Sequence, residues 1–286
     1  IILGGGFLCF GHISLAVSNY FFFFSGLILI ILGVGLLKPS ISSLVGNLYK
    51  KNDIQRDQGF TIFYIGINFG AFFASLIVGY VGEIYGWHYG FSLAGFGMVL
   101  GQLIFLRGSK KFPSQIKKKH HIKKIKFNFS KIENDRIKLI SLASLILIIF
   151  WASFEQAGGL MNIFAFEKTN RNLYFINWEV PASWFQSINP LLIILLGLYI
   201  SGFWLFLQKK KIISSSIFKI AIGIIIMGLG FIFMFFASIE AQVFGKSSMY
   251  WLFLAYLFHT VGELCASPVI LSFITKLSPK QLMASI

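Results

Sequence analysis

The sequence predicts an all-α integral membrane protein, a set of about eight apolar helices joined by polar or basic connections. Three observations carry that expectation. Of the 286 residues, 56% are hydrophobic and 12% are charged, half the roughly 25% charged content of soluble domains. The apolar residues form continuous runs near the ~20 residues needed to span a bilayer core, not the roughly ten-residue alternating strands of a membrane barrel. Finally, Lys and Arg collect in alternate connections, the positive-inside pattern of multi-pass proteins.

The first run, 1–18, opens at Ile1 with no polar leader and reads as truncated, so the chain is expected to be a piece of a longer protein. The second, 20–46, carries Lys38 followed by Pro39. Runs 59–82 and 89–107 contain the pairs Gly66/Gly70 and Gly97/Gly101, a spacing that lets helix backbones approach. Runs 137–165, 183–207, 216–238 and 248–275 follow. Pro190 and Pro268 lie within two of them and are expected to bend or loosen the helix.

Loop charge sets the direction of each run. The connections 47–58, 107–138, 208–219 and 276–286 hold three, twelve, four and two Lys or Arg residues. The intervening connections hold only Lys168, Arg171 and Lys246. That is 21 on one side and three on the other, with Lys38 completing the 25. The basic side is cytoplasmic. Residues 1–106 are then part of an N-terminal helix bundle and 137–286 part of a C-terminal one. Residues 107–136 form a basic cytoplasmic linker held near anionic lipid.

Composition also excludes. The net charge of +15 follows this topology, so no nucleic-acid partner is expected. Cys9 and Cys265 fall in apolar helices and read as small core residues, not a disulfide. The five histidines show no metal-ligand spacing, and His120 and His121 sit in the lysine-rich linker. An enzyme would need a nucleophile–base pair or a metal cluster, and no HExxH, GxSxG or helically spaced Cys–His pair is present.

Three charged side chains stand where charge is expensive. Lys38, Glu155 and Glu263 each lie in an apolar run, at roughly 2.5–3.5 kcal/mol for a group near the helix centre. Such residues point to a charge-handling pathway. Glu155, in FWASFEQAGG, has Trp151 one turn before it, and an indole beside a carboxylate lowers local polarity. Glu155 is therefore a candidate proton carrier; the alternative is a permanent ion pair. Glu263, in FHTVGELCASPV, has no fixed partner in sequence and could hold a substrate ammonium or bond a neighbouring helix. His259 and Ser267, four residues either side, are expected on its face, and His259 could serve a proton relay or simply pack. Pro39 is expected to kink the helix at Lys38, opening room for a carboxylate or an anionic substrate group. Snorkelling to the interface is the alternative. Tyr64 and Asn68, four apart in FYIGINFG, can bond a polar ligand or a neighbouring helix. Asn189, before Pro190 in FQSINPLL, can fill a polar cavity or cap the expected kink.

Together these motifs resemble the proton-dependent oligopeptide transporter family of the major facilitator superfamily. GVGLLKPSISSLVGNLY is similar to its fourth-helix motif and RDQGFTIFYIGINFGAF to its fifth. FWASFEQAGG resembles the seventh helix, FQSINPLL the eighth and GELCASPVILSFITKLSP the tenth. The resemblance spans nearly the whole chain, in order. It implies a major facilitator fold of twelve helices in two six-helix bundles, present here incompletely from helix three to helix ten, with a peptide site between bundles near the midplane. It implies that Glu155 takes part in proton coupling, that Glu263 meets the peptide amino terminus, and that Lys38 meets its carboxylate or pairs with acidic residues of helix one. Tyr64, Asn68, Trp151 and Asn189 would line the site. The family's helix-one motif, E-x-x-E-R, is absent, and the usual partners of Lys38 and Glu155 lie with it. The 286-residue chain alone is therefore expected not to transport, because unpaired charge destabilises a bilayer-embedded bundle; proton-driven peptide uptake by it would overturn that.

The function so implied is proton-coupled symport of di- and tripeptides by alternating access, with protons as coupling ion and no other cofactor. The expected setting is a monomer, embedded in lipid as a multi-pass protein of a bacterial cytoplasmic membrane. The rivals are another small solute in the same fold, such as nitrate or a modified peptide, and a non-functional remnant of such a transporter.

Overall fold

A computed structural model describes residues 1–48, 54–110, 130–175, 177–210, 212 and 215–277. Lys50, Lys51, Lys211, Lys280 and most of the basic linker, with His120 and His121, lie outside the described residues. The chain divides into two compact units, Ile1–His121 and Ile122–Ile286.

The first unit contains α1 (Ile2–Leu15), α2 (Tyr20–Leu48), α3 (Ile54–Phe73), a π-helical turn (Ala74–Val78), α4 (Gly79–Tyr85) and α5 (Trp87–Ser109). Here α1 packs on α2 and α5. The contact is made by glycines that face each other across helices. A methyl group on Gly33 would meet the Gly4 carbonyl oxygen at 2.9 Å, and one on Gly26 would meet that of Gly11 at the same distance. By contrast, nothing stands within 4 Å of the positions a methyl would take at Gly66, Gly70, Gly97 or Gly101. The GxxxG spacing marked helices able to approach, but within the described residues other glycines make the close contacts. Gly86, at φ 117°, ends α4 and begins α5, a backbone angle that favours glycine.

α2 runs without a break through Pro39. The proline removes the bond its N–H would give to the Gly35 carbonyl. The hydroxyls of Ser40 and Ser42 donate to the carbonyls of Leu36 (2.6 Å) and Lys38 (3.1 Å), reinforcing the helix around that gap.

The second unit contains α6 (Lys131–Phe154), a 3₁₀ turn (Glu155–Ala157), α7 (Leu160–Lys168), a 3₁₀ turn (Ala182–Ser187), α8 (Ile188–Lys209), α9 (Ser216–Phe244) and α10 (Met249–Leu277). α6 starts earlier than the apolar run suggested because Ser130 and Glu133 form a capping box: Glu133 N–H donates to Ser130 Oγ, and Ser130 N–H to the Glu133 carboxylate. The connections on the side poor in Lys and Arg are ordered by short strands. β1 (Thr169–Asn170) pairs in parallel with β4 (Ser247–Ser248), and β2 (Asn172–Leu173) pairs antiparallel with β3 (Trp178–Glu179). Arg171 ties this region together, bonding Glu179 at 2.9 Å and the Val180 carbonyl.

α10 is the axis of the second unit, packed on α9, α8 and α6. Of its most apolar stretch 44% is buried, at least twice the share of any other span among the described residues. Gly223 and Gly262 set the α9–α10 approach: a methyl on either would fall within 3 Å of the other's carbonyl oxygen. One apolar core joins Ala157 and Met161 to Phe185, Leu252, Ala255 and Tyr256; a second joins Phe150 to Met227, Ala266 and Ile270.

Seven helical segments among the described residues are long and apolar enough to cross a membrane. The run expected at 1–18 appears as α1, whose 14 residues span ~21 Å at 1.5 Å per residue, short of the ~30 Å core. Ile31, Ile149, Leu198 and Ile225 are largely exposed, as suits helices whose solvent is hydrocarbon. Pro190 does not interrupt a helix. It is the third residue of α8, in the first turn, where a missing N–H costs no bond. α10 continues through position 268.

Candidate functional site

The sequence-predicted residues of the second unit converge where α6 breaks. Glu155 is the C-cap of α6; its N–H still donates to the Trp151 carbonyl, so it stands one turn beyond Trp151 as the spacing predicted. The Trp151 ring, however, packs edge-on against Phe150 and Phe154 at 5.4 Å from each. Glu155 is exposed rather than sheathed by the indole. Past it the helix tightens to a 3₁₀ turn, and Gly158 and Gly159 separate that turn from α7. The single run expected over 137–165 is thus two helices with the carboxylate at the joint. A carboxylate there meets the negative end of the α6 dipole.

Glu263 stands on α10 within electrostatic reach of Glu155. Asn189, at the start of α8, donates from Nδ2 to Glu263 Oε2 at 2.9 Å and to Thr260 Oγ1 at 3.1 Å. Asn189 therefore orients the carboxylate instead of capping a kink. Among the described residues neither Glu155 nor Glu263 has a cation partner. A half-buried carboxylate held by one neutral amide retains acceptor capacity for an ammonium.

His259, one turn before Glu263 on α10, packs against α9. Its ring is buried against Gly230 and Phe231 of α9, 4.6 Å from the Phe231 ring, and both ring nitrogens lack a partner.

In the first unit, Asn68 is buried and donates to the Tyr64 carbonyl of its own helix at 2.9 Å. Among the described residues its Nδ2 makes no interhelical bond. Tyr64 is exposed. Lys38 is exposed on α2, and its ammonium has no partner among the described residues. Cys9 and Cys265 are free thiols. No group of three His, Cys, Asp or Glu side chains among the described residues could hold a metal.

Three residues of the convergence, Gln186, Tyr256 and Thr260, were missed in the sequence. Tyr256, Thr260 and Glu263 form a polar stripe on α10 at i, i+4 and i+7. Gln186 precedes Asn189 by three residues. Gln186 Nε2 and Tyr256 Oη both donate to the Ala157 carbonyl, at 2.5 Å and 3.0 Å. A polar stripe with helical period inside an apolar run was the available signal.

The sequence profile of the POT family (PTR2) matches residues 1–138 and 132–286. An uncharacterized transporter, YclF of Bacillus subtilis, is 34% identical over 98% of this chain and 67% of its own length. Peptide transporter YePEPT of Yersinia enterocolitica is also 34% identical over the same shares. A di-/tripeptide transporter of Lactococcus lactis is 32% identical over 98% of this chain and 68% of its own. Among solved structures, peptide transporter POT in complex with sulfate superposes with TM-score 0.86 at 31% identity, covering 100% of this chain and 69% of that one. A POT family transporter in complex with 5-aminolevulinic acid superposes at 0.83 with 28% identity, over 99% and 70%. These shares make the chain an incomplete instance of the major facilitator fold. It belongs to the POT family, as an integral multi-pass membrane transporter and not an enzyme.

Proposed function

We propose that the full-length protein carries di- and tripeptides inward with protons by alternating access. The observation that carries this reading is a pair of carboxylates in one unit with no cation partner among the described residues, Glu155 at a helix break and Glu263 held by Asn189. A peptide is a zwitterion, so it needs a receptor of each sign. Glu263 receives its ammonium, Lys38 its carboxylate, and Glu155 carries the proton. Asn189 orients Glu263, while Tyr64, Asn68 and Trp151 line the path. Asn68 Nδ2 keeps a second N–H, and its Oδ1 an acceptor, to offer a peptide while the first N–H stays on the Tyr64 carbonyl. Residues 1–106 and 137–286 serve as the two bundles and 107–136 as their linker. The protein works as a monomer in lipid.

Proteoliposomes holding the full-length protein test this by competition. Unlabelled di- and tripeptides are expected to suppress uptake of a labelled dipeptide, and nitrate is not; suppression by nitrate alone would assign the fold to an anion. 5-Aminolevulinic acid, which has both charged ends and no peptide bond, reports whether the ends suffice. Lys38→Ala is expected to lower dipeptide uptake at least tenfold, the scale of a lost charge-assisted bond of roughly 1.5–3 kcal/mol. Unchanged uptake would make Lys38 an interfacial anchor.

A further inference from the structure

The Ala157 carbonyl is the meeting point of three elements. It lies at the end of the 3₁₀ turn after α6, where carbonyls lose their helical donors and, in a bilayer, have no water to replace them. Gln186, in the turn before α8, and Tyr256, on α10, both donate to it. Gln186 Nε2 also lies 3.2 Å from Tyr256 Oη, so the two donors hold each other. Tyr256 is 1% exposed and packs in the same core as Ala157. The clamp continues: Thr260 Oγ1 donates to the Tyr256 carbonyl at 2.7 Å, and Asn189 bonds both Thr260 and Glu263. A connected set of hydrogen bonds therefore runs from the turn that begins with Glu155 to Glu263.

We propose that Gln186 and Tyr256 are positioning residues for proton coupling: by sharing the Ala157 carbonyl they pin the helix break that presents Glu155 and link it to the Asn189–Glu263 pair. This rests on the proton-carrying role of Glu155 given above. The titratable groups on the α10 side of the break are Tyr256 and Glu263, because His259 faces α9. The α8 side contributes the neutral Gln186 and Asn189. With the clamp intact, the turn that begins with Glu155 cannot open without breaking the bonds of Gln186 and Tyr256 to Ala157, and these two residues stand one turn from Asn189 and Thr260, the pair beside Glu263. Gly158 and Gly159, which a methyl would not crowd below 3.8 Å, leave the joint free to hinge once the carbonyl is released.

The test uses the full-length protein in proteoliposomes. Tyr256→Phe keeps the ring and removes one donor; Gln186→Met keeps the length and removes the other. Each variant is expected to lose about five- to tenfold of pH-driven dipeptide accumulation, the scale of one hydrogen bond of ~1 kcal/mol. Counterflow exchange, which needs binding and alternation but no net proton movement, is expected to change less than about twofold. The double variant is expected to lose more than either alone, with a flattened pH profile of uptake. Equal loss of accumulation and counterflow would make the clamp merely structural and overturn the proposal; so would no loss of either. Should Tyr256→Phe fail to fold, Gln186→Met reads the same split from the other donor. Glu155→Gln is measured beside them. If it abolishes accumulation while both clamp variants keep it, the positioning role alone fails. If it keeps accumulation, the proton role of Glu155 fails first and takes the positioning role with it.

Discussion

Glu155→Gln in the full-length protein is expected to abolish proton-driven accumulation of dipeptide while retaining counterflow exchange. The substitution keeps the shape at the C-cap of α6 and removes the titratable group. Without a carried proton, the membrane potential no longer works on the cycle. Its contribution is about 2.3 kcal/mol per charge per 100 mV, and tenfold is about 1.4 kcal/mol. The loss is thus roughly fiftyfold in attainable gradient for each proton at that potential. Exchange of peptide for peptide needs only binding and alternation and should persist. Intact accumulation in this variant would remove Glu155 from the coupling.

Glu263→Ala is expected to weaken peptides with a free amino terminus by roughly thirtyfold or more, since truncating one partner of a buried charge pair costs about 2–5 kcal/mol. Amino-blocked peptides, which offer no ammonium, should be affected far less. The truncation also leaves Asn189 with Thr260 as its remaining partner, so Glu263→Gln is the cleaner control. It can still accept from Asn189 and lacks only the charge. The expected order for free-amino peptides is wild type, then Glu263→Gln, then Glu263→Ala. Equal losses for free and blocked peptides would mean that Glu263 supports the bundle and does not receive the substrate.

The helices were legible because hydrocarbon imposes length and apolarity on every span. Their joints were less so. An apolar run from 137 to 165 hides the break at Glu155 because the residues on both sides must be apolar in either case; only Gly158 and Gly159 hinted at it. Contact partners were least legible. GxxxG at Gly66 and Gly97 states that a backbone can approach, not what approaches it. The pairs Gly4/Gly33 and Gly223/Gly262 are close through tertiary packing between separate helices. Likewise, spacing put His259 near Glu263 on one helix but could not say that α9 draws the imidazole away. Nor could it say that Asn68 satisfies its amide on its own helix. Glu263 and Asn189 were found because a carboxylate and an amide in apolar runs are rare and must bond something. Gln186, Tyr256 and Thr260 escaped because a tyrosine or threonine in such a run is unremarkable until its hydroxyl is seen to meet a carbonyl.

The most direct test is peptide-triggered proton entry. Full-length protein is reconstituted in vesicles that enclose a pH-sensitive dye, with equal pH on both sides and an inside-negative potential. Adding a dipeptide is predicted to acidify the lumen at a rate that follows peptide uptake, and Glu155→Gln to abolish the acidification. Peptide entry with no acidification of the lumen would contradict proton coupling.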